Sequence, residues 1–456
     1  MSRRTRTPVG LAVLAAILLT GCATSSPLPS VTSTPTLAPT TIPTPGVGEV
    51  IPAPGSTSTI YAPNPGALVV AIDPGHGGCL DWGVPDPRSR GAGASEKAMT
   101  LAIGLALRDL LQAQGVTVVM TRTTDVALAG DDYPTLGCTG PAWRDVNGDG
   151  ESGFDPEGAT RTRDELQARL DLANVARADV LVSIHINSLT QDGVIFEIAA
   201  TETFYTDETA WGVTAAEWLA RLVQSNVVDR LGEIATYERQ DRGIEAKNLY
   251  IVAPPLLVPT EDRPDPRKQP TRGALMPAIL TEVGSITLAA EQDLLTSSPG
   301  QEAAAAGIAD ALSSYFRDRP LAVRYDAAIG SGAAGTVPAP VPGDGPPFWV
   351  PTLRTSELSA GFTLRLTNTG TEAWPGDLRL AVGSEPSEAP YLRLPPGVLA
   401  PLPMAIPPLA PGESIDLPVR WEPPAEVGRR IAWFTLLGGG GALTEIGSPP
   451  LQLALP

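Results

Sequence analysis

From residue 67 to 316 the chain alternates two apolar patterns. Short apolar runs recur as ALVVAID (67–73), VTVVMTR (116–122), DVLVSIHIN (179–187), VIFEIAA (194–200), LYIV (249–252) and AILTEVG (278–284). Runs of this length predict strands covered on both faces. Between them lie stretches with helical spacing. KAMTLAIGLALRDLLQAQG (97–115) ends at Gly115, and DELQARLDLANVARA (164–178) puts Leu166, Leu170 and Ala173 on one face. Two further helices are expected, over about 209–230 and ending near Phe316. Strand and helix in alternation predict an α/β domain, a mostly parallel twisted sheet flanked by helices.

The last segment changes period. Phe362, Leu364 and Leu366 alternate with polar residues in GFTLRLTN, as do Ile415, Leu417, Val419 and Trp421 in SIDLPVRW. Period two with intervening turns predicts an all-β, Ig-like sandwich over 348–456. A Pro/Gly/Ala-rich stretch, 320–347, reads as a linker to the preceding domain, 67–319. Residues 22–66 are rich in Ser, Thr and Pro, lack apolar periodicity and read as a tether.

Residues 1–21 carry three arginines and then an apolar run too short to span a bilayer, followed by Leu19-Thr20-Gly21-Cys22. This resembles a bacterial lipoprotein signal, which implies cleavage before Cys22 and a diacylglycerol on its thiol. The resemblance implies a protein that is extracytoplasmic and lipid-anchored to a bacterial membrane. Of the chain's three cysteines, Cys79 and Cys138 then remain. An exported protein keeps disulfides, so these two are expected to pair, with free thiols as the alternative. A formal charge of -18 argues against nucleic acid or an anionic surface as partner.

The chain has only two histidines. His76 follows the strand 67–73 directly, in AIDPGHGG. His185 is near the end of 179–187, and Glu282 near the end of 278–284. In open α/β sheets ligands bind beyond the carboxyl ends of the strands, so these three residues are expected at one edge. Two imidazoles and a carboxylate suit a catalytic zinc, and Glu96, at the start of the helix after the first strand, is the candidate third ligand. Glu282 then fits a general base. Glycines 75, 77 and 78 are expected to make the tight turn. The bland alternative is two structural histidines and a carboxylate favoured by a helix N-terminus.

AIDPGHGG, SEKAMTLAIGLALRDLLQAQGVTVVMTRTTD, LQARLDLANVARADVLVSIHIN, DRGIEAKNLYIV and AILTEVG follow one another as do the blocks of zinc-dependent N-acetylmuramoyl-L-alanine amidases of the type 3 class. The resemblance covers about 67–316. It implies Zn2+ held by His76, Glu96 and His185, Glu282 as catalytic base, and peptidoglycan as substrate. Some positions depart from the family pattern. Ile186 stands where the family usually has Ala, and Ser285-Ile286-Thr287-Leu288 where it usually has Phe-Leu-Ser-Asn. The insert CLDWGVPDPRSRGAGA lengthens the loop from His76 to Glu96.

Two insertions, 126–161 and 253–275, are candidate lids or plain surface loops. Within the first, Asp145, Asn147 and Asp149 occupy positions one, three and five of a calcium loop, with Gly150 at six, but Pro156 stands at twelve. Ca2+ is therefore a candidate second ion, and a solvated turn explains the residues as well. Trp349, Trp374, Trp421 and Trp433 make the C-terminal segment resemble the four-tryptophan Ig-like domain. That resemblance implies a protein partner or a place on the wall, whereas core packing explains the tryptophans alone. The reading as a whole is a lipid-anchored zinc amidase. Its competitors are an inactive peptidoglycan-binding adaptor and a peptidase acting within the stem peptide.

Overall fold

In the computed structural model the described residues are 58–60, 68–78, 81–129, 146, 163–176, 178–191, 194–207, 215–253, 273–274, 276–318, 321–329, 335–339, 348–352, 362–386, 400–419, 430–437 and 451–455. The chain divides into two units, Met1–Gly46 and Val47–Pro456, and every described residue lies in the second.

After a short strand β1 (Ser58–Ile60), the elements run β2 (Val69–Pro74), α1 (Glu96–Ala113), β3 (Thr117–Met120), α2 (Arg163–Val175) and β4 (Val180–Asn187). A small hairpin, β5 (Thr190–Gln191) and β6 (Val194–Ile195), leads to β7 (Ala199–Tyr205), α3 (Glu217–Ile234), β8 (Arg239–Ala246) and β9 (Ala278–Ser285). Helices α4 (Ala289–Thr296) and α5 (Ser298–Asp318) close the domain. The sheet has the order β3-β2-β4-β9-β7-β8. All neighbours are parallel except β7 and β9, so the expected mostly parallel sheet is present.

Every residue of β2 is buried, and its side chains alternate between two cores. Val70 and Ile72 pack with Met99, Ile103, Leu107 and Leu111, spaced four apart along α1, and with α3 and α5. Val69 and Ala71 pack on the other face with Leu170 and Ala173 of α2. A central parallel strand must be apolar on both sides, which is why 67–73 reads as a continuous run. Truncating Leu107 to Ala would cost about 2–5 kcal/mol.

Two expected strands differ from those found. VIFEIAA is split: Val194–Ile195 is extended in the hairpin, where both are exposed, and only Ala199–Ala200 enters the sheet, as the start of β7. Its buried positions include Thr201 and Thr203, whose hydroxyls donate to Val283 O and Gln224 Oε1 at 2.8 and 2.9 Å. Hydrogen-bonded threonines replace the apolar residues that the pattern sought. LYIV is a turn that sends Ile251 and Val252 into the core, and the strand is the preceding β8. β8 is an edge strand with much of its length exposed, so RQDRGIEA has no apolar signature. The helix expected over about 209–230 is α3, which runs further, to Ile234.

The remaining strands are β10 (Val323–Ile329), β11 (Gly335–Ala339), β12 (Phe348–Thr352), β13 (Phe362–Asn368), β14 (Arg379–Pro386), β15 (Ala400–Ala405), β16 (Ser414–Val419), β17 (Arg430–Leu437) and β18 (Leu451–Leu455). They form two sheets, β1-β10-β13-β16 and β11-β12-β18-β17-β14-β15. Leu364 and Leu366 of β13 lie opposite Leu417 and Ile415 of β16, so the period-two pattern does mark paired strands. Trp374 is buried and its Nε1 donates to Ala322 O at 3.2 Å. β1 comes from the stretch read as tether and β10 from the stretch read as linker, and the two pair antiparallel. In sequence, the α/β domain is thus inserted between two neighbouring strands of a second sheet.

Candidate active site

The parallel strands β2, β4 and β9 deliver their carboxyl ends to one edge of the sheet. His76 lies two residues beyond β2, His185 is the sixth residue of β4, and Glu282 is the fifth of β9. Glu96 opens α1 and is buried. The fold therefore brings together the three residues expected at this edge and Glu96, the candidate third ligand.

Glu96 Oε1 lies 3.1 Å from His76 Nε2 and 3.1 Å from His185 Nδ1, and it accepts Ile186 N–H at 3.0 Å. Glu96 Oε2 accepts Val84 N–H at 2.7 Å. The two imidazoles meet edge to face, with centroids 4.7 Å apart. One donor atom from each of His76, Glu96 and His185 lies within 4.8 Å of the other two. A single divalent ion bridges donors at that spacing, and imidazole with carboxylate is the donor chemistry zinc prefers. The backbone leaves room for the cluster. A Cβ on Gly75 would overlap the His185 ring, and one on Gly83, at φ 63°, would overlap Glu96 Oε2 and the His76 ring.

Asp81 was not foreseen from the sequence. Its Oδ1 lies 2.6 Å from His76 Nδ1, which turns His76 Nε2 toward Glu96. A carboxylate behind a ligating histidine fixes the ring and its tautomer. Burial opposes charge on His76, but Glu96 and Asp81 outweigh it and push the imidazolium pKa up to about 10. Burial likewise opposes the charge on Glu96, yet the facing histidines hold its carboxyl far below the usual range.

The turn that carries His76 uses the expected glycines and adds a left-handed residue that was not expected. His76 itself has φ 62°, in the left-handed region, as do Gly77 and Gly78 at 142° and 71°. Such a non-glycine residue costs on the order of 1–3 kcal/mol and persists only where its surroundings hold it. Two buried guanidinium groups do so. Arg169 of α2 donates to Pro74 O at 2.8 Å and His76 O at 2.7 Å, while Arg122 donates to Pro74 O and Gly75 O, both at 2.9 Å. Asp73 balances Arg169 at 2.7 Å and also accepts from Thr121 and Ser183. Burial resists the Asp73 charge, but Arg169 and the two hydroxyls keep its pKa below the usual value. Burial and the field of Arg169 lower the pKa of Arg122 to about 10, against the attraction of Asp73. Next to Glu96, Lys97 Nζ binds Gly78 O at 2.6 Å and Asp125 at 2.7 Å.

Glu282 is the register partner of His185 on one side and of Glu202 on the other. Cross-strand partners share a face, so its carboxyl lies on the side of the His185 ring. Among the described residues its Oε2 is shielded from solvent and meets no hydrogen-bond donor. Burial first, and then the field of Glu96, push its pKa well above the usual carboxylate value, with His76 and Lys247 opposing. Glu202 is held by Arg242 at 3.0 Å.

Cys22, Cys79, Cys138, Asp145, Asn147 and Asp149 lie outside the described residues, as does most of both insertions. No described helix is long and apolar enough to cross a membrane.

Known proteins resemble this part of the chain. The germination-specific N-acetylmuramoyl-L-alanine amidase of Bacillus subtilis is 24% identical over 245 residues, covering 54% of this chain and 78% of that protein. The sporulation-specific N-acetylmuramoyl-L-alanine amidase of the same organism is 27% identical over 244 residues, covering 53% of this chain and 66% of that protein. A crystal structure of an N-acetylmuramoyl-L-alanine amidase from Clostridium difficile 630 is 27% identical, covers 56% of this chain and 98% of its own, and aligns with a TM-score of 0.37. Residues 70–314 match the family described as N-acetylmuramoyl-L-alanine amidase, a span of more than half the chain that contains His76, Glu96, His185 and Glu282. This chain belongs to the N-acetylmuramoyl-L-alanine amidase family.

Proposed function

We propose that the protein hydrolyses the amide between the lactyl group of N-acetylmuramic acid and L-alanine in peptidoglycan, with a zinc ion held by His76, Glu96 and His185 and with Glu282 as general base. The observation that carries this reading is the meeting of three donors within 4.8 Å at the strand ends, with Glu282 in register beside His185. A zinc ion held there would supply Lewis acidity for the hydrolysis. Asp81 holds the His76 ring, and Glu96 draws both histidines together. Glu282, whose Oε2 meets no donor among the described residues and whose proton affinity is raised, takes a proton as water adds to the carbonyl carbon. As the C–N bond breaks, it returns that proton to the departing amine. The products are a lactyl carboxylate and a stem peptide that begins with free L-alanine.

Anchoring at Cys22 follows from the Leu19-Thr20-Gly21-Cys22 motif and puts the enzyme outside the cytoplasmic membrane, near its wall substrate. A Cys79–Cys138 disulfide, a calcium ion at Asp145, Asn147 and Asp149, and an Ig-like partner-binding role for 348–456 are proposals resting on the sequence alone.

The test is zinc stoichiometry on the purified chain, followed by mass analysis of products from intact peptidoglycan. About one zinc per chain and released peptides starting at L-alanine, lost in Glu282→Ala, support the reading. A chain without zinc and without peptide release favours the wall-binding adaptor. Cleavage within the stem peptide favours the peptidase.

A further inference from the structure

We propose that Arg88 is a positioning residue for the amidase reaction. It fastens the loop running from His76 to Glu96 onto the exit of β9, and so sets the separation of the metal-ligand cluster from Glu282. The inference rests on the reading of Glu282 as general base.

Arg88 lies in the middle of that loop, and both terminal nitrogens of its guanidinium reach across the gap. Nη1 donates to Ile286 O at 3.0 Å and Gln292 Oε1 at 2.6 Å, and Nη2 donates to Thr287 O. Gln292 closes the ring, because its Nε2 donates to Asp86 Oδ1 and Ala94 O, both at 2.8 Å, and Asp86 Oδ1 accepts Arg88 N–H at 2.9 Å. Arg90 pairs with Asp293 beside it. The loop thus grips the chain four and five residues after Glu282.

The gripped residues are also tied to the His185 strand. Ile286 N–H donates to Asn187 O at 2.9 Å, and the register of β4 on β9 shifts between His185 and Asn187. Thr287 Oγ1 donates to Phe196 O at 2.7 Å. Three segments therefore meet at Ile286–Thr287: the exit of β4, the exit of β9 and the loop between two ligands. Among the described residues no donor reaches Glu282 Oε2. The path of its strand helps to place that oxygen, and Arg88, with Gln292, binds that path to the ligand loop. A planar fork with several donors suits two successive carbonyls and an amide oxygen, which one ammonium cannot address together.

The experiment compares the full chain with Arg88→Ala and Arg88→Lys by amide hydrogen exchange, zinc stoichiometry, thermal melting and kinetics on peptidoglycan. The expected result for Arg88→Ala is faster exchange at Ile286 and Thr287 with zinc content kept, KM within about twofold and kcat lower by about 10²-fold, the scale of an ångström misplacement. Arg88→Lys should recover only part of kcat. Wild-type exchange and kcat in both variants would overturn the proposal. So would parallel losses of melting temperature, zinc and kcat, which mark a merely structural role. Should Arg88→Ala not fold, Arg88→Lys decides alone, with reduced kcat at unchanged melting supporting the proposal and wild-type kcat refuting it. Full activity in Glu282→Ala would instead refute the base, while the exchange data on Arg88 would stand.

Discussion

His185 and Glu282 stand side by side, in register on adjacent parallel strands, so a residue read as ligand and a residue read as base share one face of the sheet with no intervening element. Neighbouring strands in a sheet lie about 4.8 Å apart, a spacing the fold imposes on both side chains. This pairing makes the division of labour at the site testable residue by residue.

Glu282→Gln should lower kcat by about 10²- to 10⁴-fold, the usual contribution of a positioned general base, and leave zinc content near one per chain. The amide keeps the shape of the carboxyl and loses its basicity. Elemental analysis beside peptidoglycan turnover checks this, and loss of zinc in the variant would move Glu282 into the ligand set.

Removing metal should abolish turnover and lower the melting temperature together, because an ion that binds only the folded chain stabilises it. At a hundred times the dissociation constant the gain is about 2.7 kcal/mol. Dialysis against a chelator, then readdition of zinc, should lower and restore both quantities. His185→Ala should show neither response.

Gly75→Ala should cost zinc and activity, since its new methyl overlaps the His185 imidazole. Gly93→Ala, where a methyl meets nothing within 4 Å, should stay within about 0.5 kcal/mol of the parent and keep full activity. Melting curves and zinc content of the two variants separate a local clash from a general intolerance of alanine in this loop.

The Asp73–Arg169 pair should appear in the acid limb of the stability curve. The folded pKa of Asp73 is depressed, so its contribution is present above its unfolded value of about 3.9 and is lost as pH falls through the lower folded value. Asp73→Asn removes one of the two buried carboxylates that face Arg169 and leaves Glu165 at 2.9 Å, at a cost of about 1–3 kcal/mol near neutrality. Denaturant titrations at several pH values should show the gap between parent and variant closing below about pH 4.

The strand-end residues were legible because each follows or ends an apolar run, and such runs locate sheet edges well. Glu96 was legible from its place at a helix start. The residues that hold the His76 turn were not. Arg169 and Asp73 are buried and paired with each other, but in sequence Arg169 falls where α2 would show an ordinary polar face. Asp81 and Arg88 lie in a loop with no period, and their partners are remote or depend on how that loop folds. β8 escaped because an edge strand need not be apolar, and β10 because its flanks are rich in alanine, glycine and proline. The glycines after His76 were noticed, yet the left-handed residue that matters chemically is the histidine itself.

The pairing of β1 with β10 joins Ser58, Thr59 and Ile60 to Ile329, Ala328 and Ala327. These ladders bracket the whole stretch 61–322, so tension applied upstream of Ser58 has a path from β1 through β10 into β13 that bypasses the hydrolase. The catalytic domain hangs in parallel with that path, as slack beside a taut line. A chain held at one end by a membrane and at the other by a wall or a partner would load the strand ladder first, leaving the geometry of the His76, Glu96 and His185 cluster unstretched.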